Sequence, residues 1–167
     1  MTDDKAAIAP AKKSDRVFLV VVDDTPELGV ALRYACRRAW KTGGRVAMLY
    51  VIETGEPQEW LGVGDLMLEE KRQEAERVLQ KMAAEVDKLS GSLPVLYVRE
   101  GAARHEAVLK LIGEEPGISI LVLGAATGSK GPGPLVSALT GKYVGKLRVP
   151  VMIVPGHLSV AEVEKIG

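Results

Sequence analysis

Five glycines stand close together in one segment of the chain, between two short apolar runs. They are Gly124, Gly128, Gly131, Gly133 and Gly141. The flanking runs, Ile118–Leu123 and Val149–Val154, are rich in β-branched residues and predict strands that are buried on both faces. A glycine-rich turn that leads into a helix offers free backbone N–H groups, and these favour an anion, most often phosphate. The alternative is a turn that only needs residues with positive φ.

The spacing of these glycines matches neither of the two common phosphate-binding motifs. A P-loop requires Gly-Lys followed by Ser or Thr, and the pair Gly141-Lys142 is followed by tyrosine. The dinucleotide pattern G-x-G-x-x-G fails because Val136 stands where its third glycine would be. The segment contains Gly128-x2-Gly131-x9-Gly141 instead.

Apolar runs and helical patterns alternate along the chain and predict how this segment is positioned. The predicted strands are Arg16–Asp23, Arg45–Ile52, Leu93–Arg99, Ile118–Leu123 and Val149–Val154. The predicted helices are Pro26–Thr42, Asp65–Leu89, Glu106–Gly113 and about Leu135–Leu147. Thr25 is expected to cap the first helix, and Leu66 to begin the inner stripe of the second. Because helices separate the strands, right-handed crossovers require an open five-stranded, mostly parallel α/β sheet with helices on both faces.

Ligands of open α/β sheets bind beyond the carboxyl ends of the strands. Asp23, Glu53 and Gly101 lie at or just beyond the ends of three of the predicted strands. Asp23 is either a ligand contact or a solvated acid that caps the next turn. Trp60 lies in the loop after the second strand, where it either lines the cleft or packs the loop down.

Composition excludes several classes of function. The 167 residues carry 22 basic and 22 acidic side chains and only 4% aromatic residues, so neither a nucleic-acid footprint nor a base-stacking platform is expected. No apolar run reaches the roughly 20 residues that span a bilayer. A single cysteine, Cys36, precludes an internal disulfide, and no residues stand at metal-ligand spacing. A reducing cytoplasm is the expected compartment.

Three parts are expected along the chain. Residues 1–15 are polar, carry no hydrophobic signal region and predict a disordered arm. Residues 16–156 form one domain, and residues 157–167 form a tail in which Val160–Ile166 can make a short helix.

From about Arg16 to Pro155 the chain resembles the universal stress protein family. The resemblance rests on VVVDDT with its strand-end Asp23, on MLYVIE, on the closing VPVMIVPG, and on the G-x2-G-x9-G spacing after the fourth strand. It implies a Rossmann-like sheet of strand order 3-2-1-4-5. It also implies a cytoplasmic stress-response regulator that binds ATP or another adenine nucleotide, accompanied by Mg²⁺.

The resemblance further implies a role for individual residues. Asp23 would contact adenine, Val51 would hold the base through its main chain, and Gly101 would pass near the ribose. The residues expected to approach the phosphates are Gly128, Gly131, Gly141 and Lys142. Nothing in the chain supplies an evident general base, nucleophile or metal cluster, so no catalytic residue is predicted and hydrolysis, if any, is expected to be slow.

The glycine segment departs from the family pattern in three places. Lys142 replaces the Ser or Thr that follows the last glycine in nucleotide-binding members, and it would offer a point charge instead of a hydroxyl. Four extra residues, from Gly124 to Thr127, precede Gly128, and the region from Lys142 to Pro150 is short for the family's last helix. Two functions therefore stay open: a nucleotide-binding regulator, or a member without nucleotide that acts as a dimeric protein-interaction module. In either case the resemblance implies a homodimer through Val149–Val154.

Overall fold

A computed structural model describes residues 14–55 and 64–167 of the chain. Predictions for the first 13 residues of the N-terminal arm and for Trp60 lie outside the described residues. No helix within the described ranges is both long and apolar enough to cross a membrane.

Five parallel strands form one sheet. They are β1 (Val17–Val22), β2 (Arg45–Glu53), β3 (Val95–Gly101), β4 (Ile118–Ala125) and β5 (Val151–Pro155). The helices are α1 (Glu27–Thr42), α2 (Gly64–Ser90), α3 (Arg104–Glu114), α4 (Pro134–Thr140) and α5 (Val160–Ile166), with a short 3-10 helix at Val144–Lys146. The order across the sheet is β3-β2-β1-β4-β5, and every neighbouring pair is parallel. The predicted α/β class and strand order are confirmed.

The alternation of side chains along β1 divides the core between the two faces of the sheet. Leu19 and Val21 pack with the apolar sides of α3 and α4, while Phe18, Val20 and Val22 pack with those of α1 and α2. The central strand is therefore buried on both faces, as its unbroken apolar run predicts. Its carboxyl end consequently lies at the middle of the sheet edge.

Helix α1 starts without the cap that the sequence predicts. Pro26 occupies the N-cap position and no side chain caps the helix. The Thr25 hydroxyl is engaged elsewhere, because it donates to Oδ1 of Asp23 at 2.6 Å. The helix ends as expected, with Gly43 in the left-handed conformation at φ 70°.

The first turn of α2 and the start of β3 also differ from the sequence prediction. Leu66 is 67% exposed instead of buried, and the buried stripe of α2 begins at Ala75. Strand β3 starts two residues late because Pro94 has no N–H to donate, and the preceding carbonyl of Leu93 accepts from Nε of Arg45 at 2.7 Å. The strand then continues to Gly101, which pairs with Glu53.

The last predicted helix is broken and the last strand is shifted. Helix α4 ends at Thr140 because the backbone of Gly141, at φ −107° and ψ −109°, leaves the helical conformation. The short 3-10 turn follows instead of a continuation to Leu147. Strand β5 begins at Val151, and Val149 is buried ahead of it.

Helix α5 lies near the C-terminal end of the sequence, at Val160–Ile166. Ser159 and Glu162 form a capping box in which the Ser159 hydroxyl accepts from the Glu162 N–H at 3.1 Å. The helix packs on α1, with Val163 buried and Glu164 3.3 Å from Nη1 of Arg37. The C-terminal residues are thus joined to the domain.

Candidate functional site

A cleft of about 260 Å³ opens at the carboxyl ends of β1 and β4. These two strands are neighbours in the sheet although α1, α2 and α3 separate them along the chain, so the cleft lies where the strand order reverses. Its polar and glycine positions are Asp23, Thr25, Glu27, Arg104, Gly124 and Gly133. The floor consists of apolar ends of the two strands, including Val21 and Leu123.

Asp23 is the partly buried acid of this cleft. Its side chain is 16% exposed, and its Oδ1 accepts from the backbone N–H of Thr25 at 3.0 Å as well as from the Thr25 hydroxyl. The second oxygen, Oδ2, lies 3.9 Å from Nη1 of Arg104. Asp23 therefore both closes the turn after β1 and presents one less heavily bonded oxygen to the cleft.

Arg104, the first residue of α3, reaches across the carboxyl ends of two strands. Its Nη2 lies 3.3 Å from Oε1 of Glu53, at the end of β2, and its Nη1 is the group that faces Asp23. Its Nε is buried and has no hydrogen-bond partner within residues 14–55 and 64–167. Sequence reasoning missed Arg104, which stands just before the predicted helix Glu106–Gly113. Its nearness to the end of the third strand places it at this edge, but no local pattern records its contacts to Asp23 and Glu53.

A second cleft of about 230 Å³ lies beside the first. It is lined by Glu53, Ala103, Arg104, His105, Pro134 and Leu135. Of these residues, Arg104, Pro134 and Leu135 also line the first cleft. The two clefts therefore share a wall.

The first glycine of the glycine segment serves packing. A Cβ atom at Gly124 would lie 2.7 Å from both the Cβ and the carbonyl oxygen of Glu27. Gly156, beyond β5, faces the same side chain, and a Cβ there would lie 2.5 Å from Cγ of Glu27. Both glycines thus allow the first turn of α1 to approach the sheet edge, which places Glu27 on the cleft.

The loop between β4 and α4 folds back on itself. The N–H of Ala126 donates to the carbonyl of Pro132 at 3.1 Å, and the N–H of Gly131 donates to the carbonyl of Gly128 at 3.3 Å. Gly131 and Gly133 have φ values of 86° and 103°, which other residues rarely adopt. Gly133 lines the cleft, whereas Gly128 and Gly131 do not.

Gly141 and Lys142 also lie away from this cleft. A Cβ at Gly141 would lie 2.7 Å from the carbonyl oxygen of Ser137. The end of α4 therefore requires a glycine at this position for packing. The Nζ of Lys142 lies 5.4 Å from the centre of the Tyr143 ring, which stacks on His105 at 4.3 Å. The lysine is thus placed beside an aromatic pair.

Val51 and Gly101 occupy the β2–β3 side of the sheet. Val51 is buried in β2 and pairs with Arg99, and only its main chain is available to a ligand. Gly101 ends β3, where a Cβ would lie 3.3 Å from Cβ of Ala107. Of the predicted site residues, Asp23 alone lines the described clefts.

No group of three or more His, Cys, Asp or Glu residues within residues 14–55 and 64–167 is arranged to hold a metal ion.

Comparisons with known proteins bear on the family and the fold of this chain. The profile of the universal stress protein family matches residues 16–155. A sequence comparison with curated proteins gave no significant match.

Solved structures share the fold at low sequence identity. Universal stress protein UspA from Lactobacillus plantarum is 19% identical with a TM-score of 0.68, and the match covers 86% of this chain and 99% of that one. A family protein from Burkholderia pseudomallei is 20% identical with a TM-score of 0.62, over 83% and 95% of the two chains. A universal stress protein solved in complex with cAMP is 15% identical with a TM-score of 0.56, over 84% and 97%.

The extent of the profile match, from just before β1 to the last residue of β5, includes all five strands of the sheet and the cleft. On this evidence, the chain belongs to the universal stress protein family.

Proposed function

We propose that this protein is a cytoplasmic stress-response regulator that binds an adenine nucleotide, ATP with Mg²⁺ in the first instance, at the carboxyl edge of its sheet. The observation that carries the proposal is the cleft between β1 and β4, where the partly buried carboxylate of Asp23 faces a glycine loop. Oδ2 of Asp23 can accept a hydrogen bond from the amino group of adenine. The structural likeness to a family member in complex with cAMP supports an adenine ligand.

The glycine loop supplies the phosphate side of the proposed site. Gly133 lines the cleft directly. Gly128 and Gly131 would approach a phosphate that extends along the loop from the cleft, where a Cβ at either position would meet nothing within 4 Å. The main chain of Val51 would hold the base and Gly101 would lie near the ribose. Gly141 and Lys142 would meet only the distal phosphates, because neither lines the cleft.

Thermal unfolding with and without ATP and Mg²⁺ tests this function. A nucleotide at about 100 times its dissociation constant should add roughly 2.7 kcal/mol to the free energy of unfolding. Gly128→Val should abolish the shift, because its side chain would fill the open space beside the loop without straining a positive φ. Gly117→Val is the matched control. Gly117 precedes β4 at the amino ends of the strands, away from the cleft, and a Cβ there meets nothing within 4 Å. The absence of a shift at millimolar ATP would refute the nucleotide.

A dimeric protein-interaction module without nucleotide is the second candidate function. The observation that favours it is β5, an edge strand on which Ile153 is 44% exposed. An exposed apolar edge favours pairing with another strand, and a second copy of this chain offers the same edge. A dimer that gives no thermal response to ATP would favour this candidate over the first.

A further inference from the structure

The wall shared by the two clefts at the carboxyl edge of the sheet contains one charged side chain. Ligand pockets usually measure about 300–1,000 Å³, and each of the two clefts alone is smaller than that. Together they reach this range. Arg104 is the only charged residue that lines both of them.

The carboxylates at this edge would repel a bound anion. Asp23 and Glu27 line the first cleft and Glu53 lines the second, so each contains carboxylates. Within the residues that line the first cleft, Arg104 is the single basic side chain. A phosphate at this edge would meet three acids, and only Arg104 offers it an opposite charge from the wall between the clefts.

The hydrogen bonding of Arg104 is incomplete. A guanidinium carries five N–H donors in a rigid fork. The contacts of this one to Asp23 and Glu53 are long, at 3.9 Å and 3.3 Å, and its buried Nε has no partner among the described residues. The Nε atoms of Arg37 and Arg38 on α1 are unpaired in the same sense, but neither of those arginines lines a cleft. Buried donors are nearly always paired, so the donors of Arg104 are available to an acceptor in the clefts.

We propose that Arg104 is the residue that recognises the phosphate of the bound nucleotide, and that it selects phosphorylated ligands over the free nucleoside. This inference rests on the proposed function. The fork of Arg104 binds phosphate oxygens with two donors at once, a geometry that the point charge of Lys142 cannot provide. As the guanidinium turns towards the phosphate, Oδ2 of Asp23 is released and accepts the amino group of the base.

Calorimetric titration with adenosine, AMP and ATP tests the proposal in the full-length protein. The variants are Arg104→Gln, which removes the charge, and Arg104→Lys, which keeps the charge and loses the fork. Arg77→Gln is the control, because Arg77 is an exposed, ion-paired arginine of α2 that lines neither cleft. All variants are first checked for folding by circular dichroism.

Arg104→Gln should weaken ATP and AMP binding by about tenfold or more while adenosine binding changes by less than about threefold. Arg104→Lys should bind ATP more weakly than the wild type and more tightly than Arg104→Gln. It serves as the test variant if Arg104→Gln does not fold. Equal losses for ATP and adenosine, or no loss at all, would overturn the role of Arg104 alone. A wild-type protein that binds none of the three ligands would overturn the proposed function as well.

Discussion

At the scale of single residues, Cys36 shows how position decides reactivity. Its side chain lies on the buried stripe of α1, and burial, with a smaller contribution from the charge of Glu85, raises the pKa of its thiol to about 12. The thiolate is the reactive form of cysteine, so this thiol is inert in the folded protein. Cys36 shares this buried stripe with Ala35 and Ala39.

The raised pKa of Cys36 makes the stability of the fold depend on pH. The unfolded thiol loses its proton near pH 9 while the folded one keeps it to about pH 12, so the unfolded state binds fewer protons in this range. Stability from this group is complete below pH 9 and is lost as the pH rises towards 12. Urea unfolding at pH 8 and pH 10 should show a larger loss for the wild type than for Cys36→Ala. An identical loss in both would refute the assigned pKa.

Two glycines of the same segment should differ in their response to a single added methyl group. Gly141→Ala should lower the free energy of unfolding by about 1–3 kcal/mol, because its Cβ would collide with the backbone of Ser137. Gly128→Ala should leave the free energy of unfolding nearly unchanged, since a Cβ there enters open space and φ is not positive. Chemical denaturation measures the free energy of unfolding of both variants. Equal changes in the two would contradict the conclusion that Gly141 is required by packing and Gly128 is not.

At the scale of helices and strands, the sequence predicts which elements exist better than where they end. The apolar runs and the 3.6-residue periodicity identified all five strands and the inner faces of α1 and α3, because burial against the sheet dictates those patterns. The boundaries that were wrong depend on the behaviour of single residues. Thr25 donates to Asp23 instead of capping α1, and Gly141 ends α4.

The candidate site was predicted only in part for the same reason. Asp23 follows directly from the strand pattern, since the residue after a central strand must reach the carboxyl edge. Arg104 does not, because its role depends on a side chain that crosses from α3 to the ends of β1 and β2. No local pattern records a contact of that kind.

Helix α5 should contribute to the stability of the domain through one buried residue. Val163 is 1% exposed against α1, whereas Val160 on the same helix is 56% exposed. Val163→Ala should therefore cost about 1.5–2.5 kcal/mol of unfolding free energy. Val160→Ala is the matched control and should change it by no more than about 0.5 kcal/mol. Similar values for the two variants would mean that α5 does not dock as described.

At the scale of the whole molecule, the two edges of the sheet differ in what they offer. Strand β5 presents Ile153 on one edge, while β3 ends the sheet on the other side and the exposed Leu93 precedes it. A homodimer through β5 would cover Ile153 and leave Leu93 free. The strand that would form its interface, Val151–Pro155, begins two residues later than the sequence predicts.

Light scattering of two variants tests the dimer. Ile153→Lys should convert a wild-type dimer into a monomer, because a buried unpaired charge is costly at an apolar interface. Leu93→Lys carries the same change at the opposite side of the sheet and should leave the dimer intact. A monomeric wild type, or a dimer that survives Ile153→Lys, would refute pairing through β5.

The central claim is that an adenine nucleotide binds in the cleft at the carboxyl ends of β1 and β4, and an NMR titration of the backbone amides with ATP and Mg²⁺ tests it most directly. Saturable shifts are predicted for Thr25, Gly124 and Gly133, which line the cleft. The amide signals of Gly113 and Gly117, which lie towards the amino ends of the strands, should not shift. Unchanged spectra at millimolar ATP, or shifts confined to residues outside the cleft, would contradict the claim.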